Sequence, residues 1–181
     1  MRVIAGDAKG RRIKAPVGSS IRPSSDRVRS AIFSIVESAG VDLSRALDLY
    51  AGTGALGIEA LSRGAGWVDF VEQDPRHAAA IKANLAATGL EARARVYREP
   101  VVKAIGSLEG EYGVVFMDPP YGDDNVGSVL RLLVASPLVG AGTVIVVEHS
   151  RHQALERDYG DFILSKERKY GETVVSIFHR R

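Results

Sequence analysis

At 181 residues, with 45% hydrophobic and 25% charged side chains, the chain has the make-up of one globular domain plus a small appendage. It contains no cysteine, which excludes disulfides, thiolate catalysis and zinc–thiolate sites. No apolar run approaches a membrane span, and the opening MRVIAGDAKGRR lacks the apolar core of a signal peptide, so a cytoplasmic protein without membrane contact is expected.

The net charge of +2 hides an uneven distribution. Residues 1–30 hold eight basic and two acidic side chains, against 16 basic and 20 acidic in the remainder. Such segregation is the footprint of a polyanion partner; a merely solvated charged surface is the bland alternative. The candidates for phosphate contact are Lys9, Arg11, Arg12, Lys14, Arg22 and Arg27.

In chain order, RVIAGDAKGRRIKA predicts two short strands around a polar turn, a basic β-hairpin, followed by the Pro/Gly/Ser-rich linker PVGSSIRPSSD. We therefore expect an extension over residues 1–22 and the main domain over 23–181. A helix begins at Asp26 with Ser24 or Ser25 as N-cap, and Gly40 ends it. Strands follow at Ala46–Tyr50, Trp67–Glu72, Ala94–Tyr97, Val114–Asp118 and Thr143–Val147, with helices at Ala55–Arg63, Pro75–Ala87, Val101–Leu108 and Val126–Ala135 between them. Uninterrupted apolar strands suit a parallel sheet buried on both faces, and the alternation predicts a doubly wound α/β layer. FILSKERKYGETVVSIFHR reads as two strands around Gly171-Glu172 with no helix between. The sheet is thus expected to have seven strands, mostly parallel, ending in an antiparallel hairpin.

The first loop, DLYAGTGALG, contains a literal G-x-G-x-x-G. Gly52 and Gly54 allow a sharp turn and close approach of a ligand, and the helix after them offers free N–H groups. That suits a pyrophosphate or a carboxylate equally. Asp48, just before the glycines, separates the cases: it would repel a diphosphate but attract an ammonium group, as in S-adenosylmethionine (SAM), unless it merely caps the turn. Glu72, closing the second strand 20 residues after Gly52, stands where an acid grips both ribose hydroxyls of an adenosine cofactor. Asp74 reads as the cap of the next helix. Glu99 occupies the position that meets an adenine amine, although Pro100 removes the neighbouring backbone donor.

The stretch VVFMDPPYGDD decides between cofactors. Consecutive prolines restrict the backbone and hold the Asp118 carboxylate, the Pro119 carbonyl and the Tyr121 ring in a fixed relation. Methylation of a conjugated amine needs this trio. Two acceptors hold the NH₂ as it becomes tetrahedral, and the aromatic ring stacks on the planar substrate, adding about 1–3 kcal/mol. The loop is then expected to hold SAM rather than a dinucleotide.

These motifs, together with RPSSDRVRSAIF and RKYGETVVSIF, resemble the RsmD family, whose members methylate the exocyclic N2 of one guanine in 16S ribosomal RNA. The resemblance spans essentially the whole chain. It implies a class I SAM-dependent methyltransferase (Rossmann-like) fold, SAM as donor and the 30S subunit or a late assembly intermediate as substrate. It further implies flipping of the target base and direct transfer without metal. Separately, a monomer is expected. Tyr121 stands where the family often has Phe. The segment from Arg22 to Arg27 matches one that lies next to the cofactor in the family.

Rival readings are a DNA amine methyltransferase, an enzyme acting on protein glutamine, and a non-catalytic SAM-binding assembly factor. A dehydrogenase would require Asp48 and DPPY both to be accidents. The H-x-x-H of His149 and His152 reads as packing or surface rather than metal. Tyr50 and Tyr170 carry no functional argument from sequence.

Overall fold

The computed structural model describes residues 1–16 and 25–181. Arg22, Pro23, Ser24 and most of the expected linker, with the boundary at 22/23, lie outside the described residues. Helix α1 (Asp26–Ser38) is capped by Ser25, whose hydroxyl accepts from the Val28 N–H, and it buries Val28, Ile32, Phe33 and Val36. Parallel strands β1 (Arg45–Leu49), β2 (Trp67–Val71), β3 (Ala94–Tyr97), β4 (Val114–Met117) and β5 (Val144–Ser150) alternate with α2 (Ala55–Ser62), α3 (Pro75–Thr88), α4 (Val101–Ser107) and α5 (Val126–Val134). The antiparallel strands β6 (Asp158–Tyr159), β7 (Phe162–Tyr170) and β8 (Thr173–Arg180) finish the sheet.

The strand order β3-β2-β1-β4-β5-β8-β7-β6 reverses direction at β1, between β2 and β4. That switch point is where an open α/β sheet leaves a crevice at its carboxyl edge. One face of the sheet packs under α1, α2 and α3, the other under α4 and α5, and each face has its own apolar cluster. Successive side chains of β1, β4 and β5 alternate between the two clusters, as the pleat requires.

One expectation is corrected and another is refined. The sheet has eight strands rather than seven, because Asp158–Tyr159 pairs with the start of β7. Two residues are too short for an alternation signal. They stay in place because Tyr159 is buried edge-on to Phe178, at 5.5 Å between ring centroids. The N-terminal segment is a minimal hairpin rather than two full strands: one antiparallel bridge, Arg2 to Arg12, is flanked by backbone hydrogen bonds from the Val3 amide to Arg11 and between Met1 and Ile13. Further backbone amides of the segment turn to side chains of the main domain. The Glu59 carboxylate accepts from the Ile4 and Ala5 amides at 2.8 and 3.0 Å, Ser62 accepts from the Ala8 amide, and Asn84 accepts from the Lys14 amide. Val3, Ala8 and Ile13 join the cluster around α2, burial worth about 1.5–3 kcal/mol for the larger side chains. This explains why every residue of α2 is buried, Glu59 included.

Candidate active site

The chain leaves β1 at Tyr50, whose φ of 61° is the one left-handed value among the described non-glycine residues. Such a conformation costs on the order of 1–3 kcal/mol and accumulates at functional sites. Gly52 (φ 57°) and Gly54 (φ 78°) complete the turn, and Gly54 is the N-cap of α2. A Cβ on Gly57 would lie 2.3 Å from the Phe70 ring, so the last glycine of the motif is there for helix–strand packing.

Two acids brace this loop from below. The Glu72 carboxylate accepts from the Gly52 amide at 2.9 Å with one oxygen and from the Asp74 amide at 2.8 Å with the other. Asp48 accepts from the Gly57 amide at 2.9 Å. Burial, opposed by that hydrogen bond and reinforced by the nearby Glu72 charge, pushes the Asp48 carboxyl up to about 8. Both acids line the same cleft as Gly52 and Thr53.

The cleft has a volume of about 1350 Å³, more than one small ligand needs and enough for a cofactor with part of a second molecule. Asp118, Pro119 and Tyr121 form its wall on the β4 side. The Tyr121 hydroxyl and Thr173 Oγ1 share a hydrogen bond of 2.6 Å, which ties the loop after β4 to the turn between β7 and β8. Val102, Tyr121 and Leu132 are the exposed large hydrophobic side chains among the described residues, and all three line the cleft. Apolar surface kept in water at one opening marks a place for a planar apolar group.

The structure thus brings Asp48, Gly52, Glu72, Asp118, Pro119 and Tyr121 around one space, with Arg27 at its margin, 5.9 Å from the Tyr170 ring centroid. Glu99 does not line it. Its carboxylate instead meets Lys103 at 3.3 Å and Ser107 at 3.3 Å along α4, while Pro100 and Val101 face the cleft. Gly54 shapes the loop without lining the space. Lys9, Arg11, Arg12 and Lys14 are exposed on the docked N-terminal segment. Arg12 and Lys14 share a shallow groove with Arg76 beside α3.

Sequence reasoning missed Tyr50, Glu148, Tyr170 and Thr173, all of which line the cleft. Only Glu148 carried a signal, as an acid at the carboxyl end of a strand. Asp74 caps α3, accepting from the Arg76 and His77 amides. His149 is buried and bonded to Ser176 at 2.9 Å, and burial lowers its pKa. Among the described residues no group of three His, Asp or Glu converges as a metal site.

A family model described as conserved hypothetical protein 95 matches residues 1–179. The Bacillus subtilis protein YlbH is 38% identical, with 100% of both chains covered. The Escherichia coli protein named ribosomal RNA small subunit methyltransferase D is 29% identical over 99% of this chain and 90% of its own. Among solved structures, the Escherichia coli methyltransferase yhhF superposes with a TM-score of 0.85 at 29% identity, covering 100% of this chain and 98% of that one.

Proposed function

The chain belongs to the RsmD family and is a class I methyltransferase, and from that premise we propose that it transfers a methyl group from SAM to the exocyclic N2 of one guanine in 16S RNA, within the 30S subunit or a late assembly intermediate. The observation that carries this reading is the shared cleft: Asp118, Pro119 and Tyr121 line the same space as the glycine loop braced by Glu72.

SAM fits the residues present. Glu72 would hold the ribose hydroxyls with its remaining lone pairs, Asp48 would face the ammonium group, and Pro100 with Val101 would flank the adenine. When bound, SAM would supply an electrophilic methyl on a sulfonium, whose S–C bond breaks as the methyl is transferred so that the neutral thioether S-adenosylhomocysteine is the leaving group. Asp118 and the Pro119 carbonyl would accept the two N–H bonds of the guanine amine, turning its lone pair out of conjugation and toward that methyl. As the new N–C bond forms, charge on the nitrogen is stabilised by an anion and a dipole already in place. Asp118 then stands ready to take the proton the nitrogen sheds. The base enters by flipping, which costs a few kcal/mol, less where it is unpaired. Tyr121 would stack on it. Lys9, Arg11, Arg12, Lys14, Arg22 and Arg27 would attract the surrounding phosphates.

The test is transfer of labelled methyl from SAM to small subunits lacking the modification, to protein-free 16S RNA and to duplex DNA, with Asp118→Ala as control. Label in a single guanine of the subunit, lost in the variant, is expected. Label in DNA, or none anywhere despite SAM binding, would overturn the proposal.

A further inference from the structure

Glu148 is buried, at 4% exposure, yet it lines the cleft with Asp118, Pro119 and Tyr121. Parallel pairing of Met117 with Val147 carries Asp118, the first residue after β4, and Glu148 of β5 to neighbouring positions at the carboxyl edge. Met117 and Val147 belong to the cluster under α4 and α5, whereas Phe116 and Val146 belong to the opposite one, and the pleat of β5 turns Glu148 to the side of Val146. Asp118 and Glu148 then meet the same cleft. Strands in a sheet lie about 4.8 Å apart, so the backbone carries the two residues into the cleft about one strand spacing apart. The transfer step itself calls on only one of these two carboxylates.

We propose that Glu148 is the specificity-determining residue of this site, accepting a hydrogen bond from the ring N1–H of guanine while Asp118 and Pro119 hold the adjacent N2 amine. The inference rests on the methyltransferase reading above and deepens it. Among the four bases, guanine alone carries a ring N–H directly beside an exocyclic amine. Adenine and cytosine present a ring nitrogen acceptor there, which a carboxylate repels. A row of acceptors, Glu148, Asp118 and the Pro119 carbonyl, complements the row of donors on guanine. Tyr121 and Leu132 in the same cleft supply the flat apolar contact that a base needs. A site built to bond a specific polar hydrogen rejects analogues that present an acceptor in its place.

The experiment uses reconstituted small subunits in which the methylated guanine is either retained or replaced by 2-aminopurine. That analogue keeps the 2-amine but has an acceptor at N1. The wild-type enzyme is expected to prefer guanine by roughly 100-fold or more in kcat/KM. In Glu148→Gln the side-chain amide can donate to N1 as well as accept from it, so the preference should shrink at least about tenfold relative to wild type. Comparing the ratio of ratios cancels the different intrinsic reactivity of the two amines. A wild-type enzyme that methylates both bases equally would overturn the inference without any variant. So would Glu148→Gln with an undiminished preference, or one that binds SAM normally yet transfers to neither base. Failure of the wild-type enzyme on guanine subunits would instead overturn the function, and this inference with it. If Glu148→Gln does not fold, the wild-type preference decides.

Discussion

The Gly52 amide donates to the Glu72 carboxylate at 2.9 Å, so the glycine loop after β1 and the acid after β2 form one braced unit. Glu72 also accepts from the Asp74 amide, which links this unit to the cap of α3. Removing the carboxylate would therefore disturb the loop as well as any ribose contact. Hydrogen bonds to charged groups contribute about 1.5–3 kcal/mol, so Glu72→Ala is expected to weaken SAM binding roughly tenfold to 100-fold. Isothermal titration calorimetry checks this, and unchanged affinity would remove Glu72 from the cofactor site.

Asp48 makes cofactor binding sensitive to pH. Its carboxyl titrates near 8 because it is buried, and a neighbouring ammonium would favour the charged form. SAM affinity should then rise between about pH 6 and 8 and level off, and Asp48→Asn should flatten that rise. The effect on stability has the opposite sign. Because the folded pKa is raised, the contribution is full below the ordinary carboxylate range and is lost as pH rises through about 8. Without ligand, Asp48→Asn should melt higher than wild type at pH 8.5 and bind SAM more weakly. A variant that melts lower there would contradict this account.

The Tyr121–Thr173 hydrogen bond predicts coupled kinetics. Tyr121→Phe and Thr173→Val should each lower kcat/KM about threefold to tenfold, and the double variant should be no worse than either. Tyr121→Ala also loses the stacking face and should raise KM more, by roughly tenfold to 100-fold. Additive losses in steady-state kinetics would show that the two residues act separately.

Gly57 tests packing rather than chemistry. A Cβ there would sit 2.3 Å from Cε1 of Phe70, so Gly57→Ala forces α2 away from β2. Overpacking of this kind costs about 1–3 kcal/mol, or on the order of 2–12 °C in melting temperature for a chain of this size. Calorimetric melting equal to wild type would refute it.

The exposed N-terminal cations predict salt dependence. Replacing Lys9, Arg11 and Arg12 by alanine should reduce the slope of log affinity for small subunits against log salt by about 2, with SAM binding untouched. An unchanged slope across a potassium chloride titration would place the RNA elsewhere.

Much of the site is readable along the chain. Asp48, the glycines, Glu72 and DPPY each lie on a strand end or the loop directly after it, and the topology of a doubly wound sheet carries those loops to one edge. Their grouping follows from connectivity alone, as do the cap at Asp74 and the paired strands around Gly171-Glu172. Glu99 shows the limit of such positional reasoning. It follows a strand like the others, but its side chain lies back along α4 against Lys103 and Ser107, and the two residues after it face the cleft.

What only the tertiary structure decides is the contribution of parts remote in sequence. β8 pairs antiparallel with β5 from Val144 to Ser150, and this returns the turn between β7 and β8 to the carboxyl edge. Tyr170 and Thr173 thereby reach the cleft, where no local pattern places them. The N-terminal segment reads as a hairpin, but its sequence does not show where that hairpin docks. In the fold, Glu59, Ser62 and Asn84 accept from its remaining amides and hold it against α2 and α3. Local composition specifies which backbone groups need partners and which side chains avoid water. It does not specify which distant side chain meets them, because that depends on how separate strands are brought into register by the burial of the whole sheet.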